Sequence, residues 1–348
     1  MEKKISNFSS SLGAGLVLTP LRLCTGWIIF SAFWRRIVLK PEALDILSPA
    51  YEGLKFNHFI TSSCGLTSLI KYLVLHPHFL FIFMWAFTII EGLVGICLLL
   101  GLFTRLASFV SFCLLLGIML GAGWLGTTCV DEWQIGVFGT AASIVLFMGG
   151  GGFLSIDHYL THTYKPFQKR LWSFLTSGPF FTNDDGHKTY WLALTLSIVA
   201  ILLALGTNQL NVGGVWGPFK NKAIKPHLKL SDLVLSENGD LKMKIFRDGG
   251  PDTYGSFLVS VRIINEQGKI VLDYDSAYLG NLPLDQIQNH YLVKIHPNGR
   301  SLVIPLSALA TVALAPTAPQ HLPPGNYFVE LIDIDGSTWR GAVSVHGK

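Results

Sequence analysis

Residues 79–126 read FLFIFMWAFTIIEGLVGICLLLGLFTRLASFVSFCLLLGIMLGAGWLG, two apolar runs joined by only Thr104-Arg105. At 1.5 Å of rise per residue, a helix of about 20 residues crosses roughly 30 Å of hydrocarbon. Each run, Phe79–Phe103 and Leu106–Gly126, is therefore long enough to span a bilayer, and the two-residue connection makes them antiparallel neighbours. Outward from this pair, Leu12–Trp34, Ile135–Ile156 and Tyr190–Leu210 meet the same test. Inside the five runs the only charged residues are Arg22 and Glu91. The first run is expected to remain as a helix, since it is long enough to span and no small-residue cleavage pattern follows it.

Composition agrees. Half of the 348 residues are hydrophobic and 14% are charged, against about 25% charged in soluble domains, and mean hydropathy is +0.45. A net charge of +4 is too small and too scattered to imply nucleic acid. The expected fold is an all-α four-helix membrane bundle over residues 1–164. A basic cytoplasmic connection with Lys165, Lys169 and Arg170, and a fifth, tethering transmembrane helix, fill 165–210. A soluble all-β domain over 211–348 follows. Arg35 to Leu75 is too polar to span and is read as a structured cap over the bundle, in which Phe56, Phe59 and Ile60 line an interfacial or re-entrant helix.

After Leu210 the pattern changes to period two. Leu241, Met243 and Ile245, then Phe257, Val259, Val261 and Ile263, alternate as strands with one buried face. Turn sequences such as Glu237-Asn238-Gly239-Asp240, Glu266-Gln267-Gly268-Lys269, Pro297-Asn298-Gly299-Arg300 and Asp335-Gly336-Ser337 punctuate them. Short strands so spaced favour an immunoglobulin-like sandwich. Counting Lys and Arg in the loops does not orient the chain. Five crossings nevertheless put the first loop, the third loop and the β-domain on one face, with Cys64 and Cys129 among them.

Charge at bilayer depth costs at least ~2.5 kcal/mol on insertion scales, so Arg22 and Glu91 must face partners or a polar cavity. Two readings stand: an ion pair locking the first two helices, or Glu91 moving a proton while Arg22 polarises a carbonyl of a lipid-soluble acceptor. For Cys64 and Cys129 three stand: a structural disulfide, a redox-active disulfide, or unpaired thiols. Cys24, Cys97 and Cys113 lie in apolar runs as packing. Arg35, Arg36, Lys71, His76, His78, Trp124 and Trp133 near one end form either a cationic funnel for a small anion or a belt of interfacial aromatics and snorkelling cations. The pairs His76/His78 and His158/His162 lack further ligands at diagnostic spacing, so no metal site is expected. Phosphate-binding, dinucleotide and haem-attachment fingerprints are missing from the sequence.

Glu91-Gly92 followed by Leu98-Leu99-Leu100-Gly101-Leu102-Phe103-Thr104-Arg105 resembles the second-helix signature of the DoxX/DoxD membrane family. Gly149-Gly150-Gly151-Gly152-Phe153-Leu154-Ser155-Ile156-Asp157 is similar to that family's glycine-rich end of the fourth helix, with Ile156 in place of the usual leucine, and Arg22 and Gly26 fit its first helix. One helix plus a β-domain resembles the partner subunit DoxA, so the chain looks like a fusion of the two. The resemblance implies a thiosulfate:quinone oxidoreductase that couples two thiosulfates to tetrathionate and passes two electrons to a membrane quinone, without metal or covalent cofactor. It also implies a multi-pass protein of a prokaryotic plasma membrane with the β-domain outside the cytoplasm. On this reading Cys64, Cys129 and Glu91 carry the redox and proton steps, Arg35, Arg36, His76 and Trp124 attract thiosulfate, and Arg22, Glu91 and Arg105 contact the quinone. Arg105 falls at the opposite end of the bundle from Arg35. The alternative is a non-enzymatic membrane-anchored scaffold for envelope assembly. Self-association is left open.

Overall fold

A computed structural model of the chain describes residues 2–122, 131–178, 186–211, 213–218, 225–251, 255–318 and 320–345. The α-helices among the described residues are α1 (Glu2–Trp34), α2 (Lys55–Ser62), α3 (Thr67–Leu75), α4 (Pro77–Leu100), α5 (Thr104–Ala122), α6 (Asp131–Gly149), α7 (Ile156–Thr163), α8 (Arg170–Leu175), α9 (Gly186–Asn211) and, between strands, the short α10 (Ser276–Gly280). Five are long and apolar enough to cross a membrane, over Val17–Leu39, Pro77–Leu100, Thr104–Ala122, Glu132–Gly149 and His187–Asn211. The chain is a multi-pass membrane protein. Its first span outruns the apolar stretch ending at Trp34, because a π-helical turn, Arg35–Leu39, continues α1 and resumes apolar character at Ile37-Val38-Leu39. Arg35 and Arg36 therefore belong to the span.

Two compact units emerge: Met1–Gly53, His78–Gly123 and Asp131–Pro218 in one, and Leu54–Pro77 with Phe219–Lys348 in the other. Apolar side chains offer helices in lipid no net drive to associate, so close approach at small residues carries more of the packing. A Cβ on Gly95 of α4 would lie 2.6 Å from Phe30 Cβ of α1, and one on Gly26 of α1 would lie 2.9 Å from Leu99 N. Across α5 and α6, Gly136 and Gly139 sit against Met119 and Leu115, and Ser111 Oγ and Ser143 Oγ are bonded at 2.7 Å. Outward residues such as Ile82, Ile89, Leu93 and Phe109 stay exposed and apolar, as a lipid-facing surface requires. None of the most apolar window of α9 is buried, although Trp133 Nε1 of α6 donates to its Thr207 Oγ1 at 2.9 Å.

The second unit holds β1 (His227–Leu235), β2 (Leu241–Gly249), β3 (Ser256–Asn265), β4 (Ile270–Tyr274), β5 (Ile287–Asn289), β6 (His296–Pro297), β7 (Leu302–Ile304), β8 (Leu309–Leu314), β9 (Gly325–Asp333) and β10 (Thr338–Val345). One sheet runs β1-β2-β8-β5 and the other β10-β9-β3-β7-β6, with β4 also paired to β3. The pairings are antiparallel. Leu241, Met243 and Ile245 bury one face of β2 as their alternation requires, whereas β3 departs from its expected phase. A register shift between Leu258 and Ser260 against β9 changes the side that faces inward. Leu258, Val261 and Ile263 are buried, while Phe257 and Val259 are only half-buried.

The stretch read as one cap over the bundle divides at Gly53. Residues 35–53 stay with the helices, and α2 and α3 join the β-domain instead. In the chain, α2 and α3 follow the first span and β1 follows the fifth, so four spans intervene. An even number is what a shared side of the membrane demands.

Glycine packing makes a prediction. Gly95→Ala forces a Cβ onto Phe30 and should cost about 1–3 kcal/mol, lowering the unfolding temperature in detergent by several degrees. Gly117 has open space beyond its Cα, so Gly117→Ala should be neutral or stabilising by up to ~1 kcal/mol. Equal shifts in the two melts would refute the packing account.

Candidate functional site

Helix ends within a membrane protein leave carbonyls and amides that lipid cannot satisfy. At one end of the helical unit three charged side chains meet this need. Arg22 of α1 donates through Nη1 to Leu98 O at 2.5 Å and Leu99 O at 3.0 Å, the last carbonyls of α4, and through Nη2 to Leu154 O at 2.6 Å. Arg105 of α5 donates through Nε to Phe147 O at 3.1 Å near the end of α6, and through Nη1 to Phe174 O at 3.4 Å. Asp157, fully buried at the start of α7, accepts from Phe103 N at 2.7 Å, Thr104 N at 2.8 Å and Ser177 Oγ at 2.8 Å. It thereby closes the open amides at the start of α5. Burial pushes the Asp157 carboxyl above the usual carboxylate range, and these hydrogen bonds oppose the shift.

The turn between α4 and α5 fits this lattice through Gly101, whose φ is +65°. A Cβ there would come within 2.5 Å of Ser155 Cβ and 2.8 Å of Arg22 Nη1. Only glycine meets both the backbone conformation and the space. Asp157 N in turn donates to Gly101 O at 2.9 Å.

A second charged cluster lies nearer the start of α4. Glu91 is ion-paired through Oε2 to Arg36 Nη1, not to Arg22. The same guanidinium donates through Nε to Glu52 Oε2 at 2.5 Å, and Arg35 Nη2 stands 3.9 Å from Glu52 Oε1. Side-chain exposure rises from 6% at Glu91 through 11% at Arg36 to 19% at Glu52, so Glu91 is the most enclosed member of the cluster. Two carboxylates on one guanidinium have a chemical consequence. If Glu91 takes up a proton, Arg36 keeps Glu52 as its counter-charge, and no buried charge is stranded.

Two hydroxyls stand beside this cluster in sequence. Thr88, fully buried one helical turn before Glu91, and Tyr51, buried immediately before Glu52, have side-chain oxygens without a hydrogen-bond partner among the described residues. Burial pushes the Tyr51 hydroxyl pKa up, keeping it a donor. Phe33 of α1 packs where Gly92, next to Glu91, lacks a side chain, and Phe30 lies 5.7 Å from Phe33 between ring centroids.

The sequence candidates thus separate. Glu91 and Arg36 are brought together, with Arg35 at the margin, while Arg22 and Arg105 are engaged by helix-end carbonyls. His76 is exposed and its Nδ1 lies 2.8 Å from Tyr72 O. Cys64 is a half-buried free thiol between α2 and α3. Cys129 and Trp124 lie outside the described residues. Glu52 was not among the candidates, because a lone carboxylate in an irregular segment carries no periodic signal. Its only hint is its place as one of three acidic residues, with Glu42 and Asp45, between the first two spans.

Four apolar spans tied by Arg22, Arg105 and Asp157, with a fifth apolar span and an antiparallel β-domain after them, define a membrane protein that carries the charged pair Arg36–Glu91 within its spans. The chain belongs to the DoxD family: residues 17–194 match the model described as "TQO small subunit DoxD", and residues 211–342 match "TQO small subunit DoxA". TQO denotes thiosulfate:quinone oxidoreductase, so two subunit families are joined in one polypeptide. A solved structure of Pseudomonas fluorescens alkylpurine DNA glycosylase AlkC bound to DNA containing an abasic site analog aligns at 10% identity over 95% of this chain and 99% of that one. Its TM-score of 0.20 carries no argument.

Removing Arg36 strands Glu91, and breaking a buried pair on one side costs about 3–5 kcal/mol. Arg36→Ala should therefore unfold at a markedly lower temperature in detergent. Arg35→Ala, which removes a half-exposed partner at 3.9 Å, should cost less than about 1 kcal/mol. Similar losses in both would show that Arg36 does not hold the cluster.

Proposed function

We propose that this protein is a membrane thiosulfate:quinone oxidoreductase, built as a four-helix bundle of α1, α4, α5 and α6 with α9 as tether and an immunoglobulin-like β-domain on the extracytoplasmic side of a prokaryotic plasma membrane. The observation that supports it best is the joint match to both TQO subunit families in one chain. The reaction couples two thiosulfates through a new sulfur–sulfur bond to tetrathionate. The two electrons released, with two protons, convert a quinone to its quinol.

In this reading the quinone is a substrate that reaches the Arg36–Glu91 pair from the bilayer. Glu91 exchanges a proton with a quinone oxygen, and Arg36 stabilises the negative charge that develops there on reduction. Glu52 holds Arg36 in place through that change, and the hydroxyls of Thr88 and Tyr51 are donors to quinone carbonyls. Arg22 and Arg105 act as positioning residues, since Arg22 holds the end of α4 and Arg105 the end of α6. Arg35, His76 and Trp124 supply positive charge and an aromatic surface for the anion. Cys64, a free thiol in this structure, forms the relay with Cys129 once the two are oxidised to a disulfide by the quinone: one thiosulfate sulfur attacks that disulfide, the second displaces it as tetrathionate, and the quinone reoxidises the dithiol so formed.

Purified full-length protein given thiosulfate and a soluble quinone analogue should form quinol and tetrathionate in equal amounts, consuming two thiosulfates per quinol. Folded protein that transfers no electrons would overturn the assignment. Cys64→Ser should lower turnover at least about a hundredfold if a covalent sulfur relay operates. Full turnover in that variant would remove the cysteines from the mechanism and leave direct transfer.

A further inference from the structure

The hairpin α2–α3 falls inside the residues matched to DoxD, and the β-strands, but for the last three residues of β10, inside those matched to DoxA. Within the second unit, nevertheless, the hairpin is bonded to the β-domain. Asn57 of α2 is fully buried, donates through Nδ2 to Ser307 O at 2.7 Å and accepts from Val293 N at 3.5 Å. Ser307 Oγ donates to Thr61 Oγ1 at 3.1 Å, one turn along α2. Around this polar centre, buried Ile60, Ile70 and Val74 pack with Phe246, Tyr291 and Leu292.

The receiving surface is built by the β-domain's own bonds. Ser307 has φ +58°, the left-handed region, in a turn closed by Ala308 N to Pro305 O at 3.1 Å. Ser307 N donates to Arg247 O at 2.9 Å, and Arg247 N donates to Ala308 O at 3.2 Å. The fully buried Arg247 side chain braces the neighbouring backbone, donating to Gly249 O at 3.1 Å, Ile304 O at 3.1 Å and Pro251 O at 2.7 Å. An amide side chain that both donates and accepts, seated inside a ring of aliphatic and aromatic contacts, has the composition of an interface centre.

We propose that α2–α3 is the docking element by which the helical part of this protein holds its β-domain, so that the covalent link after α9 is not what keeps the two together. The occupant of the β-domain surface formed by Phe246, Tyr291, Leu292 and Ser307 is this chain's own hairpin, recognised through Asn57 and Ile60. The same contacts would join the two parts if they were made as separate polypeptides. The inference is independent of the redox chemistry.

The test uses the full chain with a protease site inserted between Pro218 and Lys225, purified in detergent, cut to completion and passed over a sizing column. The β-domain fragment should co-elute with the membrane fragment. Asn57→Ala, Asn57→Asp and Ile60→Ala, each cut in the same way, should release it at least about tenfold faster, since each removes a buried contact. Leu69→Ala, at an exposed position of α3, should retain it. The released fragment's own cooperative melt shows that it left as a folded domain. Immediate loss of the fragment from the wild-type protein, or retention by all three variants as firm as in wild type, would overturn the proposal.

Discussion

The carboxylate of Asp157 is the tie on which the helical unit depends. It receives two backbone amides at the start of α5 and a hydroxyl from the segment after α8. Arg22 and Arg105 beside it donate to the carbonyls that close α4 and α6. Each group meets a demand that water would meet in a soluble protein and hydrocarbon cannot. Because Arg22 fastens α1 to the end of α4, the opposite stretches of these helices also come into fixed register. Gly95 lies against Phe30 and Gly92 against Phe33, and Glu91 is carried to Arg36.

The six charges of the helical unit described above therefore fall into two sets with different partners. Arg22, Arg105 and Asp157 are surrounded mainly by backbone groups, which do not change state. Glu91, Arg36 and Glu52 are surrounded by one another, and a proton can be added to this set without leaving a lone charge. A buried ion pair alone is weak evidence of stabilisation, because desolvation offsets much of the attraction. A charged pair within membrane spans, with hydroxyls close by in sequence that lack partners among the described residues, is a candidate functional site by default.

Much of this was legible in the sequence. The five spans follow from run length and the β-domain from period-two alternation; Asp157, Gly101 and Arg105 stand in the stretches on which the DoxD resemblance rests, but nothing there shows that they close helix ends. The pairing of Glu91 was not. Arg36 falls two residues beyond the apolar run ending at Trp34, and only the π-helical turn after α1 shows that the span continues. Glu52 reaches it from an irregular segment with no periodicity. The phase of β3 was hidden because a bulge leaves no mark in an alternating pattern, and the docking of α2 on Ser307 joins residues 250 positions apart.

The central claim is that Glu91 changes protonation when the quinone is reduced. Infrared difference spectra of the full-length protein in lipid, recorded on reduction of an added quinone analogue, test it directly. The account predicts a carboxyl signal that changes on reduction, shifts in deuterium oxide and vanishes in Glu91→Gln, while that variant still binds the analogue. A signal unchanged in Glu91→Gln, or no carboxyl signal in a wild-type protein that reduces the analogue, would contradict it.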